Sequence, residues 1–207
     1  MEEKMNLYRY ACRLTSIKRF AALKLDREYG ADGHSFRVSI LAMMIVDDYN
    51  QRNPDKKLNA EEAIRKALLH DLEEGFIGDI PTPAKKMLPE FGEVYEKLAE
   101  KVMREEILPN CPNPEYYFHL WKNQKSDETG EVIKLADTIE AFCTCFYELK
   151  RGNLVVSKAN QKFLSWFQSP LGQTLLDKYP LAKKMYQDHI FSNTFKVVRD
   201  EDEGDAA

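Results

Sequence analysis

Residues 59–71 read NAEEAIRKALLHD, and residues 72–85 continue LEEGFIGDIPTPAK. The first half carries the signals of a helix and of where it starts. Asn59 can accept from a free backbone N–H at the first turn, and Glu62, three residues on, is its capping-box partner. Ala63, Ile64, Ala67, Leu68 and Leu69 then recur at helical spacing. The second half forbids a regular continuation, because Gly75, Gly78, Pro81 and Pro83 each interrupt it. His70 and Asp71 stand at the boundary. Neighbours on a helix diverge by about 100°, so the two can reach one ion only where the helix end faces a cavity from the side.

Outward from this stretch the helical signals continue. His34 to Tyr49 is apolar nearly all round, as a central helix should be, and follows a glycine-bearing link over Glu28–Gly33. Met5 to Leu14 has apolar residues close to a 3.6 period. Glu90 to Leu108 is amphipathic, and Asn113-Pro114 reads as an N-cap with proline at the first helical position. Ser126 to Arg151 is the longest pattern, stopped by Gly152. Val155–Phe167 and Leu171–Val198, the latter interrupted at Pro180, complete the set. With no alternating strand pattern and no internal repeat, the reading is an all-α helical bundle. One domain is expected over residues 1–198, with a core over about 5–155 and a helical extension over 155–198. Residues 199–207 form an acidic tail expected to be disordered.

A formal charge of −4 argues against general affinity for nucleic acid or an anionic membrane, which need a basic face. It leaves an anionic small substrate open, since a metal or a few cations can reverse the sign inside a pocket. No stretch approaches the roughly 20 apolar residues of a spanning helix, and Met1-Glu2-Glu3-Lys4 lacks the pattern of a secretory signal. Cys12, Cys111, Cys143 and Cys145 have neither disulfide-framework nor zinc-ribbon spacing. They read as reduced thiols of a cytoplasmic protein.

Four histidines occur, His34, His70, His119 and His189. Taken singly, His34 fits a structural histidine at a helix start, and Asp137 fits a surface aspartate as well as a ligand. Yet Asp137 sits within Leu135-Ala136-Asp137-Thr138-Ile139, where a carboxylate is costly unless paired or bound to a cation.

The order His34 … His70-Asp71 … Asp137 resembles that of the HD phosphohydrolase superfamily, in particular the 5′-deoxynucleotidases of the YfbR type. His70-Asp71-Leu72-Glu73-Glu74 with Gly78-Asp79-Ile80-Pro81-Thr82-Pro83-Ala84-Lys85 is similar to that family's central signature. Lys134-Leu135-Ala136-Asp137 with Glu140-Ala141 resembles its second, and Ile17-Lys18-Arg19-Phe20 its N-terminal Arg-aromatic pair. The likeness covers roughly residues 5 to 155, and its Gly-Asp-Ile-Pro-Thr-Pro run is specific. It implies an HD-domain bundle in which His34, His70, Asp71 and Asp137 hold one divalent transition metal. Such a nitrogen and oxygen donor set suits Co, Mn or Zn, and also Fe or Ni, better than Ca. Glu74 is implied as the general acid/base, and its spacing puts it on the same helical face as His70 and Asp71. Arg19 and Lys85 are implied as phosphate contacts, a fork and a point charge respectively. Asp79 is implied at the sugar, accepting from a 3′-hydroxyl, with Phe20 as a wall that crowds a 2′-hydroxyl.

This chain departs from the family pattern at two places. Gly33 stands where Glu commonly precedes the first histidine, which puts a partner of His34 in doubt. Phe20 replaces the usual Trp. The implied activity is release of phosphate from deoxyribonucleoside 5′-monophosphates. The alternative is a deoxynucleoside triphosphate triphosphohydrolase like certain small phage enzymes acting on dATP, needing a longer basic pocket that Lys18, Lys85, Lys86 and Lys122 could line. A third reading is a non-catalytic helical module with a structural metal. His119, on the sequence, is the one histidine placed for a second metal, and a packing role is favoured for it. Tyr116, Tyr117, Phe118 and Trp121, with Trp166 and Phe167, read as core or subunit interface. A homo-oligomer, dimer or higher, is expected; nucleic acid and membrane are not expected as partners.

Overall fold

The computed structural model describes residues 7–85 and 87–191; the tail over 199–207 lies outside the described residues, as do Met5, Asn6 and Lys86. The chain runs through α1 (Leu7–Arg13), α2 (Ala31–Arg52), α3 (Ala60–Leu69), the short α4 (Glu74–Ile77) and α5 (Thr82–Lys85), then α6 (Pro89–Val102), α7 (Pro114–Lys122) and α8 (Glu128–Lys150), and ends with α9 (Ser157–Phe167), α10 (Pro170–Lys178) and α11 (Pro180–Phe191). The fold is all-α. Among the described residues no strand forms, and β-pairing is limited to an isolated antiparallel bridge between Lys18 and Gly30. That bridge closes a loop, with Arg19 N–H donating to Tyr29 O at 2.8 Å and Ala31 N–H to Ile17 O at 2.9 Å.

The caps read from the sequence form. Asn59 accepts from Glu62 N–H at 3.1 Å and Asn113 from Tyr116 N–H at 3.3 Å. The capping box is only half made, because the Glu62 carboxylate pairs with Lys66 Nζ at 2.8 Å instead of reaching back. α2 starts earlier than expected, at Ala31, so Gly33 is helical and His34 lies in the first turn.

Among the described residues two apolar cores form. One joins α2, α3 and α8 to α9, α10 and α11 through Val38, Ile45, Ile133, Phe142, Phe167, Leu176 and Tyr186. The stretch expected as an extension therefore packs directly on the central helices. The other core gathers α1, α6 and α7 around Tyr10, Leu69, Met103, Ile107 and Trp121. His34 falls between Ala31 of the second core and Val38 of the first; His70 falls between Ala67 of the first and Leu72 of the second. Both imidazoles thus lie at the seam, where each helix passes from one core to the other.

Lys66, fully buried, pins α3 to the start of α8. Its ammonium reaches Asp127 at 2.6 Å and the Thr129 hydroxyl at 2.9 Å, while Asp127 caps α8 by accepting from Gly130 N–H at 2.8 Å. A buried ammonium needs this degree of pairing, and the clamp fixes the register in which α3 and α8 present their site residues.

Candidate metal centre

Of the four residues singled out as ligands, His34, His70 and Asp137 bring donor atoms within 4.8 Å of one another, and Asp71 lies beside the two imidazoles. His34 Nε2 lies 3.2 Å from His70 Nε2, 3.2 Å from Asp137 Oδ1 and 3.5 Å from Asp71 Oδ2. His70 Nε2 lies 3.2 Å from the same Asp71 oxygen. His34 comes from α2, Asp137 from α8, and the His-Asp pair from the turn that follows α3. His70 is the C-cap and residues 70–73 are turns rather than helix. There the backbone bonds step by three residues, Leu72 N–H to Leu69 O and Glu74 N–H to Asp71 O, both at 3.1 Å. Leaving the regular helix lets two sequence neighbours aim at one point. Gly75 then allows close approach to α1, since a Cβ there would meet Tyr10 O at 2.9 Å. Gly78, at φ +88°, turns the chain toward Asp79 in a conformation that favours glycine.

Tautomers follow from the partners. A carbonyl only accepts, so the 2.7 Å contact of His70 Nδ1 with Ala67 O places a proton on Nδ1 and leaves Nε2 to face the cluster. His34 Nδ1 faces Glu140 Oε2 at 2.5 Å. Burial opposes charge on His70, but Asp71 outweighs it and raises this imidazole to about 9. For His34 burial and Arg19 pull down, yet Asp137 and Glu140 raise it. Against the penalty of burial, Asp71 is held well below the ordinary carboxylate range by His70, and Asp137 by His34. The converging atoms therefore call for positive charge at their centre, and a divalent cation held by two imidazoles and two carboxylates fits that demand.

Arg19 borders the cluster, donating from Nη1 to Asp71 Oδ2 at 2.9 Å, with Nη2 at 3.8 Å from Asp137 Oδ1. Glu74 opens α4 and is buried, with Oε2 lacking a hydrogen-bond partner. Burial first, then the Asp71 charge, pushes its carboxyl up to about 9. Asp79 is raised by burial and by Asp71, opposed by Arg19 and Lys85. Lys85 keeps to the rim, its ammonium 4.0 Å from the centre of the Tyr95 ring. Phe20 is half-buried beside Arg19 with φ +55°, a left-handed conformation unusual for an aromatic residue. The structure thus gathers Arg19, Glu74 and Asp79 about the four converging residues and leaves Phe20 and Lys85 at the margin.

The sequence reading missed two supports. Glu140 and Arg37 brace His34, and Trp121 does more than fill core, because its indole N–H donates to Glu73 Oε2 at 2.8 Å. Burial and the Asp71 charge push Glu73 up to about 7. His119 is neither core nor near the centre; it is exposed on α7, with Nδ1 3.0 Å from Asn123 Nδ2. Tyr116, expected in core or interface, is exposed to 40%. The side chain of His189 lies outside what is described.

The fold is that of the HD-domain phosphohydrolases. A solved HD-domain phosphohydrolase from Listeria innocua superposes with TM-score 0.66 at 21% identity, covering 88% of this chain and 99% of that one. An HD phosphohydrolase of cyanophage S-2L (DatZ), solved bound to dA and one catalytic Zn2+ ion, superposes with TM-score 0.58 at 19% identity, covering 90% of this chain and 99% of its own. A 5′-deoxynucleotidase from Yersinia pestis is 31% identical over 171 residues, 80% of this chain and 86% of its own. The YfbR-like 5′-deoxynucleotidase model matches residues 6–171, and the chain belongs to that family. It is a metal-dependent phosphohydrolase.

Proposed function

We propose that this protein hydrolyses deoxyribonucleoside 5′-monophosphates to deoxynucleoside and phosphate, using one divalent transition metal, Co, Mn or Zn, held by His34, His70, Asp71 and Asp137. The observation that carries the reading is the convergence of two imidazole nitrogens and two carboxylate oxygens within 3.2–3.5 Å of His34 Nε2 or His70 Nε2. When bound, the metal supplies Lewis acidity at the phosphoryl group.

The chain's own residues do the rest. Arg19, beside the two carboxylates, offers its remaining N–H groups to phosphate oxygens, and Lys85 adds charge from the rim. Glu74, kept protonated by burial and Asp71 and unpartnered at Oε2, is placed to hand a proton to the departing 5′-oxygen. Asp79 accepts from the sugar 3′-hydroxyl, and Phe20 closes the 2′ side.

The monophosphate is favoured over the triphosphate by the surrounding lysines. Lys18 pairs with Glu28, and Lys122 with Glu100 and with Glu96 at 2.9 Å, so the charge that either would bring to a longer basic pocket is already offset by a carboxylate. The non-catalytic alternative is disfavoured by the presence of Glu74 and all four metal-binding side chains. Four free cysteines support a reducing cytoplasm, and among the described residues no helix is long and apolar enough to cross a membrane. Phe36, Ile40 and Met44 repeat at four-residue spacing on α2 and are 61%, 39% and 40% exposed, which supports a homo-oligomer.

The test is a product-resolved screen of dNMPs, NMPs and dNTPs with Mn, Co and Zn. Phosphate and deoxynucleoside from dNMPs are expected. Inorganic triphosphate from dNTPs, or no turnover with any of them, overturns the reading.

A further inference from the structure

We propose that Glu140, braced by Arg37, is the positioning residue that sets the tautomer of His34 and so decides whether its Nε2 can take a metal ion; this rests on the metal-centre reading above. His34 is fully buried and has a partner at each nitrogen. Nε2 faces His70, Asp71 and Asp137, while Nδ1 lies 2.5 Å from Glu140 Oε2. An ionised carboxylate can only accept, so this contact puts the imidazole proton on Nδ1 and leaves the Nε2 lone pair for the metal.

Glu140 cannot easily turn away. Its other oxygen, Oε1, accepts from Arg37 Nε at 2.7 Å and Nη2 at 2.6 Å, and from the Thr144 hydroxyl at 3.3 Å. His34 with Asp137 and Arg37 with Glu140 form two rungs between two helices. Arg37 is one turn beyond His34 on α2, and Glu140 is one turn beyond Asp137 on α8. His70, by contrast, is locked by a main-chain carbonyl, Ala67 O at 2.7 Å, which no side-chain replacement removes. Gly33, just before His34, has no side chain to share the task.

Arg37 makes the inference sharply testable. In Glu140→Gln the amide has one acceptor oxygen and one donor nitrogen. Arg37, a charged donor, claims the oxygen, and the NH2 is left to face His34 Nδ1. That favours the tautomer with its proton on Nε2, where the metal should bind. The isosteric change is therefore expected to harm metal binding as much as Glu140→Ala does, roughly 10–100-fold. The double variant Arg37→Met/Glu140→Gln frees the amide to turn its oxygen to Nδ1 and is expected to recover part of that loss. Arg37 is 44% exposed on its side chain, so methionine there is readily accommodated.

The measurement is the zinc affinity of the full-length chain by competition with a chromophoric chelator. The unfolding midpoint of each metal-free variant is taken alongside, with His34→Ala as the reference for loss of the site. In the zinc-loaded wild type, long-range 15N–1H spectra are expected to show the His34 proton on Nδ1. Glu140→Gln binding zinc like wild type, or a double variant no better than Glu140→Gln alone, overturns the proposal. Should Glu140→Gln fail to fold, Glu140→Ala decides it, and unchanged zinc affinity there has the same force. If wild type and His34→Ala bind zinc equally, it is the metal centre itself that fails, a result distinguishable from failure of the Glu140 role.

Discussion

Glu74 and Glu140 are both buried glutamates beside the same four residues, at 3% and 5% exposure, and they are treated in opposite ways. Glu140 sits on the α2–α8 side, where His34 and Arg37 share its oxygens and hold its carboxyl below the ordinary value despite burial. Glu74 sits on the α4 side, where one oxygen has no partner and burial with the Asp71 charge raises its carboxyl to about 9. Burial is common to both; the difference is the sign of the nearest charge. A cation next to one keeps it a fixed anion, and a carboxylate next to the other makes it a proton carrier. The His34 side of the site is thus built to stay put and the Glu74 side to change protonation.

The strongest way to break this contrast is to remove a member of the cluster that the two glutamates flank. Asp137→Ala deletes the carboxylate 3.2 Å from His34 Nε2 and takes away one of two anions that balance Arg19. It is expected to strip the metal and reduce turnover to background. Elemental analysis showing wild-type metal content would remove Asp137 from the ligand set. Glu74→Ala should act on one side only, leaving metal bound and slowing kcat by roughly 10²–10⁴-fold, the usual range for a lost acid or base. Loss of metal in Glu74→Ala, or a normal rate, would erase the distinction between the two glutamates.

How much of this was legible follows from which relations are local. The helices around Asn59 and Asn113 and the breaks after His70 depend on residues a few positions apart, and they form as expected. The four converging residues could be picked out because their order and neighbourhood match a family motif. Glu140 was visible only as part of a signature. Its partner His34 lies 106 positions away, so its role arises once α2 and α8 pack. The bond from Trp121 to Glu73, across 48 positions, was hidden for the same reason. His70 and Asp71 were expected near a helix end, and the turn that actually aims them together is a tertiary outcome. His119 was misplaced because an aromatic run around it suggests burial, whereas its own face of α7 points to solvent.

Phe20→Ala probes the sugar rather than the charges. Its left-handed backbone, φ +55°, holds a bulky side chain where glycine would be easier. Removing the ring should narrow the preference for deoxy over ribo substrates about tenfold, equivalent to roughly 1.4 kcal/mol. An unchanged ratio of kcat/KM values for a dNMP and its NMP would refute the steric role, and metal content should not move.

The smallest effect is expected from another buried glutamate, Glu148, which extends the contrast beyond the metal. It is fully buried near the end of α8 and holds the loop that carries Arg19 and Phe20. Oε2 accepts from Asp26 N–H and Asn153 Nδ2, both at 2.7 Å, and Oε1 from Tyr29 OH at 3.3 Å. Burial works against its charge, but these donors prevail and its carboxyl lies below the unfolded value. Its stabilisation is therefore complete above the unfolded pKa of about 4.3 and is lost as pH falls through the lower, folded value. Glu148→Gln should cost on the order of 2 kcal/mol at neutral pH, from weakened bonds to a charged acceptor. That corresponds to a fall in Tm of roughly 4–8 °C for a chain of this size. The gap to wild type should close on acidification below about pH 4, and zinc affinity should stay unchanged throughout. A gap that is independent of pH would mean that Glu148 packs as a neutral group, and the rule drawn from Glu140 and Glu74 would not extend to it.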